Sequence, residues 1–184
     1  MRIRNTEVKF SFLLFVSLAF LYRDNSIIPQ FFSVCLIHEL GHAVAISLTG
    51  GRIEKIVLSG YGISIIPKRS VISTKSSVLV ILSGPLVNIL IFLLSLLKFV
   101  PHTFGVLNLA SGIYNLLPYR CLDGGTLIYT LFSGTVHEYN TMCIVTAVQI
   151  IISFCVLTAT VLFGTEFIPV LIVSLILFVS DRKK

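Results

Sequence analysis

Two of the chain's four histidines fall within one five-residue window, His38-Glu39-Leu40-Gly41-His42. On an α-helix, positions i and i+4 share a face, so both imidazoles can reach a single ion. Glu39 is turned about 100° from His38, which keeps it off the metal yet near a metal-bound water. Two neutral imidazoles that bind zinc and a carboxylate that takes a proton from the water are the parts of a zinc hydrolase. The plainer alternative is a polar cluster that joins helices by hydrogen bonds. Such clusters more often use Ser, Thr or Asn than two His and a Glu.

A catalytic zinc usually has three protein ligands and one open position. By residue type the candidates for the third are His102, His137, Cys121, Asp123 and Glu138. Asp123 lies between Pro118, which ends an apolar run, and Gly124-Gly125, which permits a tight turn able to aim a carboxylate into a bundle. Cys35 is one turn before His38 and could approach the same ion, although a small packing residue explains it as well. Asn88 fits either a lining residue of a cleft or an interhelical hydrogen bond. Gly84 and Gly112 read as close helix contacts. His137-Glu138 lacks a second histidine at ligand spacing and reads as a polar loop pair.

The elements that must position these residues are set by composition. The 184 residues are 55% hydrophobic and 12% charged, with a mean hydropathy of +0.98. A soluble domain carries about a quarter charged residues, so most of this surface faces lipid. Disorder, collagen-like structure and a soluble secreted scaffold are excluded. The net charge of +6 does not indicate a nucleic acid partner, because the charges cluster at the ends and in one loop. The four cysteines lie in or beside apolar segments without CxxC spacing and read as reduced packing residues.

A spanning helix needs about 20 mostly apolar residues. Six segments qualify or nearly qualify: residues 8–22, 27–48, 77–100, 103–117, 142–163 and 167–179. The first, flanked by Arg2, Arg4 and Lys9, reads as a retained anchor, since no small-x-small cleavage site follows it. Gly50-Gly51 closes the second. Between the second and third, residues 52–67 alternate β-branched residues around Gly60-Tyr61-Gly62, which predicts two short strands. Lipid tolerates no open sheet edge, so this hairpin belongs at the membrane surface or in a protein-lined cavity. The expectation is an all-α polytopic membrane protein of about six transmembrane helices with one short β-hairpin. It forms a single domain over residues 1–184, with a core at 27–125 and peripheral helices at 8–22, 142–163 and 167–179.

With the N-terminus inside, all but Arg23 and Lys98 of the 14 Lys and Arg fall on the cytosolic side, as the positive-inside rule requires. Both termini are then cytosolic. This topology brings His42 and Asp123 towards one membrane face and puts His102 at the opposite one.

On these residues the chain resembles the site-2 protease family of intramembrane zinc metalloproteases. The family's HExxH pattern stands at His38-Glu39-Leu40-Gly41-His42, and its NxxP…DG element at Asn115, Pro118, Asp123 and Gly124. The resemblance implies that His38, His42 and Asp123 hold one Zn2+ and that Glu39 is the catalytic base. It implies that Asn115 positions the substrate peptide or its developing oxyanion. Gly84-Pro85-Leu86-Val87-Asn88 resembles a further, weaker family element, and the Gly60-Tyr61-Gly62 hairpin resembles the strand where substrate docks. The likeness runs from about Phe31 to Gly125. Thr126, where many relatives carry a basic residue, and the hairpin turn depart from the pattern.

The compact layout most resembles the bacterial branch that processes a membrane-associated pro-sigma factor during sporulation. By resemblance, then, the protein sits in the bacterial cytoplasmic membrane and cleaves a transmembrane or membrane-associated protein, with an inhibitory membrane partner as a further candidate. Two alternatives remain at this level. One is a membrane zinc protease of another class, acting on soluble or lipidated chain ends. The other is a transporter or silent adaptor that keeps the motif.

Overall fold

The structure is a computed structural model that describes residues 2–3, 6–10, 27–51, 53–59, 62–67, 73–163 and 168–182. It divides into two compact units, residues 1–115 and 116–184.

The first unit holds three helices, α1 (Ile27–Leu48), α2 (Thr74–Leu96) and α3 (His102–Asn115). All three pack against one another. Their burial pattern inverts that of a soluble bundle. Leu36, Leu40, Val44 and Leu48 form an exposed stripe along α1 at every fourth position, and Leu79, Leu86, Leu90 and Leu93 are exposed on α2. The buried positions on α2 are Gly84, Pro85, Asn88 and Ser95, and on α3 they are Gly105, Asn108 and Gly112. Helices that turn leucine outward and bury small or polar groups are built for lipid, where close approach and hydrogen bonding hold helices together. As expected, α1 is closed at Gly50-Gly51: Gly50 takes φ 74°, and Gly51 N–H donates to the Ile46 carbonyl at 2.8 Å. Glycine adopts that left-handed conformation without steric cost.

The same unit carries a four-stranded sheet, β1 (Arg2–Ile3), β2 (Thr6–Phe10), β3 (Ile53–Ser59) and β4 (Gly62–Pro67), in the order β1-β2-β3-β4. The strands β3 and β4 pair antiparallel from Ile53↔Pro67 to Ser59↔Gly62, where the alternation predicts a hairpin. Residues 60 and 61 of its turn lie outside the described residues. In the sheet β4 is an edge strand, and it lies beside α1.

The first expected span is corrected at its start. Residues 8–10 belong to β2, which pairs parallel to β3 with Glu7↔Lys55 and Phe10↔Leu58 in register. Residues 11–22 of that span lie outside the described residues. The physical cue is the alternation Glu7-Val8-Lys9-Phe10, which has the period of a strand.

The second unit holds α4 (Asp123–Phe132), α5 (Glu138–Phe163) and α6 (Ile168–Arg182). The sequence reading leaves residues 126–136 without structure, whereas α4 occupies most of them. The helix stops at Ser133, before Gly134 at φ 74°. Among the described residues three helices are long and apolar enough to cross a membrane, at Pro29–Leu48, Thr74–Leu96 and Glu138–Leu162. The expected fourth span is the 14-residue α3, about 21 Å long. It ends three residues before Pro118 because a residue preceding proline is pushed out of helical geometry.

Candidate metal centre

The HExxH pattern lies wholly on α1, and the crossing of α1 with α2 seats its imidazoles. A Cβ on Gly41 would lie 2.9 Å from the Ser83 carbonyl oxygen and 3.2 Å from the Gly84 Cα. The two backbones touch there, at a pair of glycines. His38 is 5% exposed, and His42 and Glu39 are half-buried. The two rings stand nearly perpendicular, with centroids 4.8 Å apart.

The Nε2 atoms of His38 and His42 are 3.2 Å apart. Two imidazole ligands of tetrahedral zinc, at about 2.0–2.1 Å each, have their nitrogens about 3.3 Å apart. The pair therefore fits zinc. The outer nitrogen of His42 supports the same conclusion. Its Nδ1 lies 2.7 Å from the Val80 carbonyl oxygen, which can only accept, so Nδ1 carries the proton and Nε2 keeps its lone pair. Such a backbone anchor on the far side of the ring is what fixes a metal-binding histidine.

Asn115 is the last residue of α3 and half-buried, and its amide Nδ2 donates to the Ser111 carbonyl at 3.0 Å. Cys35 is half-buried. His102 is exposed at the start of α3.

In the second unit Asp123 is half-buried and opens α4, where an acidic side chain is favoured by the helix dipole. Gly124 and Gly125 serve here through close packing, not through turn conformation. Neither has positive φ. A Cβ on Gly124 would collide with the Leu116 backbone, and one on Gly125 with the Tyr119 backbone. The first turn of α4 thus lies directly on the chain that leads into it. Cys121 and His137 are exposed. Glu138 accepts a hydrogen bond from Gly134 N–H at 2.7 Å, in keeping with a polar loop pair.

Two residues that the sequence reading passes over tie down the loop before Asp123. Asp181, at the end of α6, accepts from Arg120 N–H at 2.8 Å through Oδ1. Gln149 of α5, 1% exposed, donates through Nε2 to the Pro118 carbonyl at 2.6 Å and to Asp181 Oδ2 at 2.7 Å. The Arg120 guanidinium stacks 3.7 Å over the Tyr129 ring. A glutamine in the middle of an apolar 26-residue helix and an acid at the end of another are the signals that could have found this clamp.

No known family's sequence profile matches the chain. Stage IV sporulation protein FB of Bacillus subtilis (strain 168) is 37% identical over 109 residues, which is 54% of this chain and 38% of that protein. A zinc metalloprotease of Methanocaldococcus jannaschii is 31% identical over 147 residues, 69% of this chain and 42% of that protein. The chain therefore spans about two fifths of the length of these curated relatives. The solved site-2 protease from Methanocaldococcus jannaschii has the same fold, with a TM-score of 0.67 over 100% of this chain and 92% of that one, at 21% identity.

Proposed function

The chain belongs to the site-2 protease family, and from that premise we propose that it is a zinc endopeptidase working within the membrane. The observation that carries the reading is the His38/His42 pair, with Nε2 atoms 3.2 Å apart on a helix that also bears Glu39. Asp123 is the third ligand in this account and Glu39 the base, with Asn115 on the substrate.

Bound zinc would polarise the scissile carbonyl and lower the pKa of a coordinated water. Glu39 takes the proton from the attacking water and passes it to the leaving amine. Asn115 holds the peptide by hydrogen bonding as its carbonyl becomes tetrahedral. A carboxylate as third ligand leaves the ion more Lewis-acidic than the softer thiolate of Cys121 would. The substrate helix hides its amides in i to i−4 bonds and must unwind locally before attack. The edge strand β4 beside α1 supports a docking mode in which the unwound segment adds a strand to the sheet.

The substrate class in this account is a transmembrane protein or a membrane-associated pro-protein. Six spans with both termini cytosolic complete the proposal. Reporters fused at residue 184 and near Asn25 are then expected on opposite sides of the membrane. Finding both on one side would refute the topology.

Zinc content tests the ligand assignment. Purified protein is expected to hold about one equivalent, as a single three-ligand site requires. His38→Ala and His42→Ala lose it, Asp123→Asn binds it weakly, and Cys121→Ser retains it. Zinc lost on changing Cys121 but kept by Asp123→Asn would overturn the choice of third ligand.

A further inference from the structure

Asn88 is fully buried on α2, and its amide reaches across to α1, where Nδ2 lies 3.2 Å from His38 Nδ1. With the amide in this orientation Oδ1 is buried without a hydrogen-bond partner among the described residues. The two ends of an amide are alike in shape, and their assignment follows the hydrogen-bond network. Turning the amide over pairs Oδ1 with His38 Nδ1, and Nδ2 takes the place that Oδ1 vacates. The turned amide can only accept at that position, so His38 Nδ1 must carry the proton. His38 Nε2 is then a lone pair, matching His42, whose Nδ1 proton is held by the Val80 carbonyl.

We propose that Asn88 is a positioning residue for the metal centre, accepting the Nδ1 proton of His38 through Oδ1 and so fixing the tautomer in which Nε2 can bind zinc. This rests on the zinc reading given above. It assigns α2 both outer anchors of the histidine pair, a backbone carbonyl for one ring and a side-chain carbonyl for the other. Outer hydrogen bonds of this kind orient a ligand and raise its basicity, and their loss typically costs about 10–100-fold in metal affinity.

The experiment compares Asn88→Asp with Asn88→Leu by chelator competition for zinc, alongside thermal midpoints of the metal-free proteins. Aspartate keeps the acceptor and loses the donor, whereas leucine loses both. The expected result is a zinc affinity about 10–100-fold weaker in Asn88→Leu and equal to or tighter than wild type in Asn88→Asp. Wild-type zinc binding in a folded Asn88→Leu, or equal losses in both variants, would overturn the proposal. Should Asn88→Leu fail to fold, nitrogen-15 histidine spectra of the zinc-loaded wild type decide. A slowly exchanging His38 Nδ1–H supports the assignment, and a rapidly exchanging one refutes it. A wild-type protein that binds no zinc would overturn the parent reading and this one together, so the two failures are told apart by the wild-type measurement.

Discussion

Gly84→Ala is expected to leave a folded protein that neither holds zinc at normal affinity nor cleaves substrate. A Cβ at residue 84 would lie 2.5 Å from His42 Nε2, 2.7 Å from His42 Cε1 and 2.8 Å from His38 Cε1. Carbon contacts are optimal at about 3.5–4.0 Å, so both rings must retreat by about 1 Å. The atoms in the way are the far ends of side chains, which can swing aside. The helices need not part, and the damage falls on the imidazole geometry. A displacement of about 1 Å at a reacting centre can cost about a hundredfold in rate, and here both proposed ligands move at once. Gly112→Ala is the matched control. Its Cβ would meet the Asn88 Cβ and the Pro85 carbonyl oxygen at 3.4 Å, ordinary contacts, while alanine stabilises a helix by about 1 kcal/mol over glycine. Zinc affinity and cleavage measured on the two variants should therefore diverge sharply. Normal zinc binding in Gly84→Ala would mean that the rings are not seated as described.

The parts of this structure that could be read from the sequence are those whose residue types are out of place in an apolar chain. His38, Glu39 and His42 stand out because ionisable groups in a membrane segment are expensive, and their spacing alone puts both histidines on one helical face. The strands β3 and β4 were legible for a related reason, since β-branched residues on either side of Gly60-Tyr61-Gly62 have the wrong period for a helix. What escaped depends on partners distant in sequence. The strand β2 was absorbed into an apolar run because its pairing with β3 comes from a segment some 45 residues further on, which no local window samples.

The short helix α4 was missed for want of length, as its ten residues follow a loop that is rich in turn formers. Asn88 was visible as a polar residue in an apolar helix, and both a cleft role and an interhelical bond were open for it. Only the structure supplies His38 as its partner. Asp181 and Gln149 meet at the Pro118–Arg120 loop, a convergence of three segments that has no local signature. The glycines of Gly124-Gly125 were legible as a pair, but the reason for them was not. They avoid a collision with backbone that precedes them, where the sequence suggested freedom of φ.

The central claim is that zinc and Glu39 together break a peptide bond, and one comparison tests it most directly. Wild type and Glu39→Gln are each co-expressed with a membrane-tethered pro-protein, and both cleavage and zinc content are measured on the same preparations. Glutamine is nearly isosteric with glutamate and cannot take the proton from water. General-base catalysis contributes about 10²–10⁴-fold, so cleavage should fall to that extent while zinc remains at the wild-type level, because the proposal gives Glu39 the role of base and not of ligand. A transporter or silent adaptor that merely kept the motif would show no dependence on the carboxylate. Undiminished processing by Glu39→Gln would contradict the account.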